Sequence, residues 1–355
     1  MATRVMIMAG GTGGHIFPAL AVAERLRAEG CVVTWMGTRN GLEARLVPAA
    51  DIPIDWIGAV GVRGKGWWQR LTAPWRILLA CVQAAWILLR RKPQVVLGMG
   101  GFVAAPGGLM AALLRIPLVI HEQNRVPGTT NRLLARMARA VLQAFPDSFA
   151  PAVGALHTGN PIRREISALP AKPIADAARP LRLLVLGGSQ GAKALNGLVP
   201  EAVAKSGVVF EVWHQTGAAL LEYTRQRYAA NGLPARVEAF VDDMAAAYAW
   251  ADLAVCRSGA MTVGELCAAG LPAVLVPFPF AIDDHQTANA RYLSEAGAAD
   301  LLPQAQLDAA GLAERLSGLA AQRELLHAMA AKARALATPE ATQQVAAVCL
   351  REAKP

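Results

Sequence analysis

No two cysteines in this sequence stand at the short spacing of a metal-binding pair. The five, Cys31, Cys81, Cys256, Cys267 and Cys349, are odd in number, widely spaced and form no CxxC pair. A zinc site or a disulfide framework is disfavoured, and five small buried hydrophobes in a reducing compartment fit best. Charge is also scarce, at 17% of residues against 54% hydrophobic. That balance excludes intrinsic disorder and a coiled-coil chain. Several nucleotide and metal motifs are missing. No GxxxxGK[ST] occurs, which argues against a P-loop NTPase. The loop Gly10 to His15 is not GxGxxG, because Ile16 stands where the third glycine belongs. The second strand ends in Met36-Gly37-Thr38-Arg39, without the acid that holds a nicotinamide ribose, so a dehydrogenase is disfavoured. Asp-x-Asp and HExxH are absent, and no metal or other cofactor is expected.

What is present is a chain of 355 residues, about two domains' worth. Its mean hydropathy of +0.32 raises the question of a membrane. The amino terminus does not read as a signal peptide, since its apolar stretch runs straight into Gly10-Gly11. The uncharged stretch Val95 to Leu114 holds five glycines and Pro106, and Leu266 to Ile282 holds Gly270 and three prolines. Both read as buried strand–loop–helix units, and no transmembrane helix is expected.

The net charge of +9 is unevenly spread. Residues 1–160 hold 17 Lys/Arg and seven Asp/Glu, a net +10; residues 161–355 hold 18 and 19, a net −1. No acid occurs between Asp55 and Glu122, an interval with eight cations and five of the eight tryptophans. Trp67, Trp68, Arg70, Trp75 and Arg76 fall in it. One reading is a surface that rests on an anionic membrane. Another is an amphipathic core helix over Leu71 to Leu89 with a basic solvent face. Nucleic acid is a third, but no nucleic-acid motif accompanies the patch, and no such partner is expected.

Short apolar runs alternate with amphipathic ones. Strands are expected at Val5–Met8, Val32–Met36, Ile54–Ile57, Val95–Gly98, Leu118–His121 and Ala140–Gln143. Helices are expected between them, the first from Pro18. The proline-rich run Leu156 to Pro180 reads as an interdomain link. A second series follows, with strands at Leu181–Leu186, Val208–His214, Val237–Phe240, Leu253–Cys256 and Ala273–Val276. Residues 308–353 read as helical with a break near Pro339. The pattern predicts two doubly wound α/β domains facing across a cleft, with ligands at the carboxyl ends of the strands.

Three glycine loops each follow an expected strand: Gly10–His15, Gly98–Phe102 and Gly187–Ala192. A glycine loop leading into a helix start suits phosphate, because the backbone comes close and unpaired N–H groups face the anion. Each is also compatible with a tight βα turn without a ligand. Polar islands sit at His121-Glu122-Gln123-Asn124, at Cys256 to Glu265 and at Asp283-Asp284-His285-Gln286. Each lies where such a sheet places ligand contacts, and each alone also suits a helix cap.

With these segments assembled, the chain resembles the MurG family. The likeness rests on GGTGGH at 10–15, GMGGF at 98–102, PGG at 106–108, HEQN at 121–124 and GNPIR at 159–163. It continues with GGSQGA at 187–192, DDMAAAYAWAD at 242–252, CRSGAMTVGE at 256–265 and DDHQ at 283–286. The resemblance implies a GT-B fold of two Rossmann-like domains. These would be 1–160 plus a helix at about 339–355, for acceptor and membrane, and 161–338, for the donor. It implies inverting transfer of N-acetylglucosamine from UDP-N-acetylglucosamine to the muramyl 4-hydroxyl of lipid I, giving lipid II. It also implies a peripheral location on the cytoplasmic face of the bacterial inner membrane, a setting that suits contact with cell-wall synthesis or division complexes. A soluble epimerase or natural-product glycosyltransferase, and a non-catalytic membrane-surface protein, are the competing readings.

The same resemblance suggests roles. Val241 matches a main-chain contact to uracil, Glu265 a ribose ligand, and Ser189 the diphosphate loop. Arg163 and Arg257 match positions near the nucleotide, where they could offset its charge. Ala260, Met261 and Thr262 offer a helix start, and Gln286, Asn124 and Thr12 match sugar contacts beside Gly13 and Gly14. Gly10, Gly11, Gly100, Gly101 and Phe102 form the acceptor loops. Two positions depart from relatives: His285 stands where some carry glutamine, and Phe102 where some carry tyrosine. For the general base, His15 is nominated with Glu122 as rival. The other reading of His15 is a loop residue that binds acceptor phosphate or fixes the turn.

Overall fold

The computed structural model describes residues 2–59, 67–173, 179–188 and 192–353, with the segment 67–73 and residue 282 described by backbone alone. The chain divides into two compact units, Met1–Arg163 with Glu340–Pro355, and Arg164–Pro339. The first contains β1 (Arg4–Met8), α1 (Gly13–Ala28), β2 (Val32–Gly37), α2 (Glu43–Ala49), β3 (Ile54–Trp56), α3 (Trp67–Arg91), β4 (Val95–Gly98), α4 (Ala104–Leu113), β5 (Leu118–Glu122), α5 (Thr129–Leu134), β6 (Ala140–Gln143) and β7 (Leu156–His157). The second contains α6 (Arg164–Ser167), β8 (Leu181–Leu186), α7 (Lys193–Lys205), β9 (Phe210–Gln215), α8 (Leu221–Ala230), β10 (Arg236–Glu238), α9 (Met244–Trp250), β11 (Leu253–Cys256), α10 (Ala260–Ala269), β12 (Ala273–Leu275), α11 (His285–Glu295), β13 (Ala299–Leu301), α12 (Ala309–Ala321) and α13 (Arg323–Ala335). The last helix, α14 (Ala341–Glu352), belongs to the first unit.

Both sheets are parallel. Their orders are β3-β2-β1-β4-β5-β6-β7 and β10-β9-β8-β11-β12-β13. A parallel sheet needs cover on both faces, and the sequence of β1 shows how it is met. Val5, Ile7 and Ala9 join a core with α1 and with Val345, Ala346 and Cys349 of α14. Met6 and Met8 join the opposite core, with Ala84, Ile87 and Leu88 of α3. Burying a residue of valine size contributes roughly 1.5 to 3 kcal/mol, so α14 is fastened to the first unit by several such contacts. All five cysteines are buried.

Several elements differ from expectation for local reasons. Helix α1 begins at Gly13, not Pro18. Pro18 lies one turn inside, where its missing N–H would have paired with the carbonyl of exposed Gly14, which water can satisfy. Helix α4, expected from Pro106, begins at Ala104, and a Cβ on Gly107 within it would overlap Met8 Sδ, so the glycine lets helix and strand touch. The run expected as a link carries β7 and α6, and β13 was not foreseen. The terminal helical region has an additional break at Gln322, between α12 and α13.

Helix α3 settles one open question. It buries Ala80, Cys81, Ala84, Ile87 and Leu88. Trp75, Ile77, Leu78, Leu79, Val82, Trp86 and Leu89 are each more than half exposed. Its described solvent face is therefore mainly apolar, with Arg76 exposed and Arg90 stacked 5.2 Å from the Trp86 ring. The expected basic solvent face gives way to an apolar one with cations beside it. The side chains of Trp67, Trp68 and Arg70 lie outside the described residues. Among the described residues, no helix is long and apolar enough to cross a membrane.

Candidate active site

Each sheet reverses its strand order beside its first strand, between β1 and β4 and between β8 and β11. Such a switch point opens a crevice at the carboxyl ends of the strands. The glycine loops lie there, for a reason that spacing along the chain does not show.

In the first unit the loops after β1 and β4 interlock. Gly100 and Gly101 have φ of +93° and +81°, which favour glycine. A Cβ on Gly101 would overlap the Gly10 carbonyl, and one on Gly100 would lie 2.8 Å from His15 Cδ2 and 3.0 Å from Nε2. The bare backbone of one loop thus backs the imidazole carried by the other. His15 is half-buried in the first turn of α1, with Nδ1 3.5 Å from Thr12 Oγ1. Thr12 caps the helix by conformation, and its side chain makes no cap hydrogen bond. The Arg163 guanidinium lies 5.8 Å from the ring of Phe17, in the same part of α1. Phe102 is 56% exposed at the loop tip.

Beneath the first loop lies a residue that the sequence reading missed. Glu43 is fully buried and accepts from Gly11 N at 3.0 Å, Thr38 N at 3.0 Å and Thr38 Oγ1 at 2.7 Å. Gly10, Gly37 and Gly41 leave room for its carboxylate. A buried polar side chain is retained where hydrogen bonds satisfy it, so Glu43 is the post on which the loop is wound. The available signal was an acid placed just after the glycine-bounded second strand, and charge alone did not mark it.

The HEQN segment proves largely architectural. His121 is fully buried, with Nε2 2.9 Å from the Gly159 carbonyl. Burial lowers its pKa to about 4, only partly countered by that carbonyl, so the ring is neutral. The rival base is corrected here. Glu122 is 2% exposed, and its two oxygens accept from Asn124 N (2.9 Å), Asn124 Nδ2 (3.2 Å), Gly128 N (3.0 Å) and Asn131 Nδ2 (2.9 Å). With both oxygens taken up by donors of its own loop, this side chain is poorly placed to take a substrate proton. Asn124 is half-buried beside it.

In the second unit, Gly188 N donates to Gln215 Oε1 at 3.1 Å, and Gln215 Nε2 returns a bond to the Gly188 carbonyl. Ser189, Gln190 and Gly191 lie outside the described residues. Under this loop, buried His214 bridges the Tyr228 hydroxyl at 2.9 Å and Asn196 Oδ1 at 3.1 Å. Burial lowers the His214 pKa to about 3 and raises that of Tyr228.

After β11, Gly259 caps α10, so Ala260, Met261 and Thr262 form its first turn. Buried Ser258 donates to the Gln286 carbonyl at 2.8 Å and joins this turn to α11. Gln286 Oε1 accepts from Phe278 N at 2.9 Å. Asp283 and Asp284, just ahead, have φ of 52° and 49°, a strained conformation for non-glycine residues. Glu265 is 9% exposed, and Val241 is half-buried next to exposed Phe240. Arg257, expected near the nucleotide, is held in place by its own contacts. Its NH1 donates to the carbonyls of Val276 and Pro277, both at 3.0 Å, and its NH2 to Gln304 Oε1 at 2.6 Å. These bonds also fasten the loop after β12. Among the described residues, no group of three or more His, Cys, Asp or Glu side chains could hold a metal ion.

Residues 5–143 match the glycosyltransferase family 28 N-terminal domain, and residues 182–345 the family's C-terminal domain. The chain is 58% identical over 354 residues to the UDP-N-acetylglucosamine–N-acetylmuramyl-(pentapeptide) pyrophosphoryl-undecaprenol N-acetylglucosamine transferase of Methylococcus capsulatus, covering 99% of each chain. Among solved structures, MurG of Acinetobacter baumannii matches with a TM-score of 0.84 and 42% identity, over 98% of this chain and 99% of that one. A UDP-GlcNAc 2-epimerase from Neisseria meningitidis shares the fold alone, with a TM-score of 0.66 and 14% identity over 98% of this chain and 100% of that one.

Proposed function

The chain belongs to the MurG family of N-acetylglucosaminyltransferases, with the GT-B fold, and on that premise we propose the following reaction. It transfers N-acetylglucosamine from UDP-N-acetylglucosamine to the muramyl 4-hydroxyl of lipid I, giving lipid II and UDP. The observation that carries the reading is the pair of glycine-lined helix starts, one at each switch point. The first presents an imidazole, and the second leads along α10 to a nearly buried carboxylate.

The acceptor oxygen attacks the anomeric carbon from the face opposite UDP. The new O–C bond forms as the bond to the diphosphate oxygen breaks, with inversion. His15 takes the hydroxyl proton, a task that suits the imidazole group near neutral pH. The charge gathering on UDP is met by N–H groups of the glycine loop after β8 and of the α10 first turn, with no metal ion in the scheme. Val241 contacts uracil and Glu265 the ribose, with Gln286 on the sugar. Arg163 offsets charge near the nucleotide, Thr12 and Asn124 join Gln286 on the sugar, and Gly10, Gly11 and the loop Gly100–Phe102 serve the acceptor side.

The outward face of α3 supports a resting place on the cytoplasmic leaflet. Tryptophan and leucine enter the headgroup zone while Arg76 and Arg90 meet anionic lipid. The activity test uses labelled UDP-N-acetylglucosamine and a short-chain lipid I analogue. The expected product is a labelled β-linked disaccharide lipid. Epimerised or hydrolysed sugar nucleotide without that lipid would replace this reading with the soluble-enzyme alternative.

A further inference from the structure

Helix α9 is a two-turn element held at both ends. Asp243 accepts from Ala246 N at 2.9 Å at its start. Lys172 Nζ donates to the carbonyls of Tyr248 (2.6 Å), Ala249 (2.9 Å) and Ala251 (2.6 Å) at its end. Helix ends leave backbone groups unsatisfied, and these two side chains supply the partners. Tyr248, one of the residues Lys172 grips, is 1% exposed and donates its hydroxyl to Glu265 Oε2 at 2.9 Å.

We propose that Tyr248 is a positioning residue that makes the nucleotide site selective for a ribonucleoside diphosphate over its 2′-deoxy counterpart. The inference rests on the assignment of Glu265 to the ribose. A glutamate side chain has three rotatable bonds, and a loose carboxylate could turn toward water when a ligand offers it one hydroxyl instead of two. The phenol removes that freedom. It occupies one of the roughly four acceptor positions of the carboxylate and fixes the plane of the rest. A diol then pairs with it at little entropic cost. A 2′-deoxyribose offers this fixed, nearly buried carboxyl group one donor fewer than a ribose does, and a site built to bind a hydroxyl rejects the analogue that lacks it. Val241, the uracil contact, lies two residues before the Asp243 cap. The base contact and the ribose carboxylate are therefore braced by one strut.

The test compares UDP and 2′-deoxy-UDP binding by calorimetry in full-length protein and in Tyr248→Phe. Affinity for UDP should fall about tenfold, the size of one hydrogen bond to a charged group. Affinity for 2′-deoxy-UDP should barely move, which serves as the control for folding. The ratio of the two affinities should collapse, and the kinetic loss should fall on donor KM more than on kcat. An unchanged ratio, or equal weakening of both ligands, assigns Tyr248 to packing alone and overturns the proposal. Glu265→Ala separates the two layers. If it leaves the ratio intact, the ribose assignment falls and the proposal with it. If it collapses the ratio while Tyr248→Phe does not, the assignment stands and only the role of Tyr248 is lost.

Discussion

The two units are built on one plan and finished differently. Each has a parallel sheet in the same spatial order, a glycine loop after its first strand, and a buried neutral histidine below the ligand end. The first half of the chain carries +10 and the second −1. The first unit winds its loop on a buried carboxylate, Glu43; the second holds its loop with an amide, Gln215. The first turns an apolar helix face outward on α3, whereas the second spends its short helix α9 on bracing a carboxylate. The lesson is that the sheet fixes where a ligand goes, while the parts laid on the sheet decide which ligand it is.

The sharpest test of that division is His15→Ala. If the first unit owns the proton transfer and the second the donor, as proposed, kcat should drop about 10²- to 10⁴-fold while UDP binding stays as it was. Turnover that survives the change would remove His15 from the chemistry and leave the two loops equivalent.

Acid should treat the units alike. His121 and His214 have folded pKa values lowered by burial to about 4 and about 3, from an ordinary 6.5. Between those limits the unfolded chain binds a proton that the folded chain refuses, so stability is full above pH 6.5 and is lost as pH falls toward 4 and 3. Each site should cost on the order of 3 to 5 kcal/mol across its window. Urea unfolding followed from pH 7 to 4.5 measures it. His121→Gln should flatten the slope for the first unit and His214→Gln for the second; a slope untouched by either would show that other groups govern acid unfolding.

The smallest effect concerns the outer surfaces. Replacing Trp75, Leu79 and Trp86 with serine should lower partitioning onto anionic phospholipid vesicles by about tenfold or more. Added salt should weaken binding of the parent protein. The same change at Val209 and Leu325, exposed in the second unit, should do nothing. Equal losses from both sets would abolish the asymmetry.

Much of this was legible in the residues. Strand runs such as Val5–Met8 and Leu181–Leu186 announced a twice-repeated α/β plan, and the glycine loops stood at strand ends. Boundaries were read less well where one residue type has two uses. Proline at 18 looked like a helix start but lies inside α1, and Pro106 likewise looked like the start of a helix that begins at Ala104. The face that α3 would expose was undecided, because a helix with apolar residues nearly all round does not say which side meets the sheet.

The order of elements, the charge imbalance and the candidate phosphate loops belong to the sequence alone, since each depends on neighbours along the chain. Only the tertiary structure could set β4 beside β1 and so lay Gly100 against His15. Only it could sink Glu43 under Gly11, commit Glu122 and Arg257 to holding loops, and bring Tyr248 to Glu265. Except at Glu122, whose partners lie in its own loop, these pairings join residues well separated along the chain. They come from strand pairing and two-sided burial of the sheets, which no local pattern encodes.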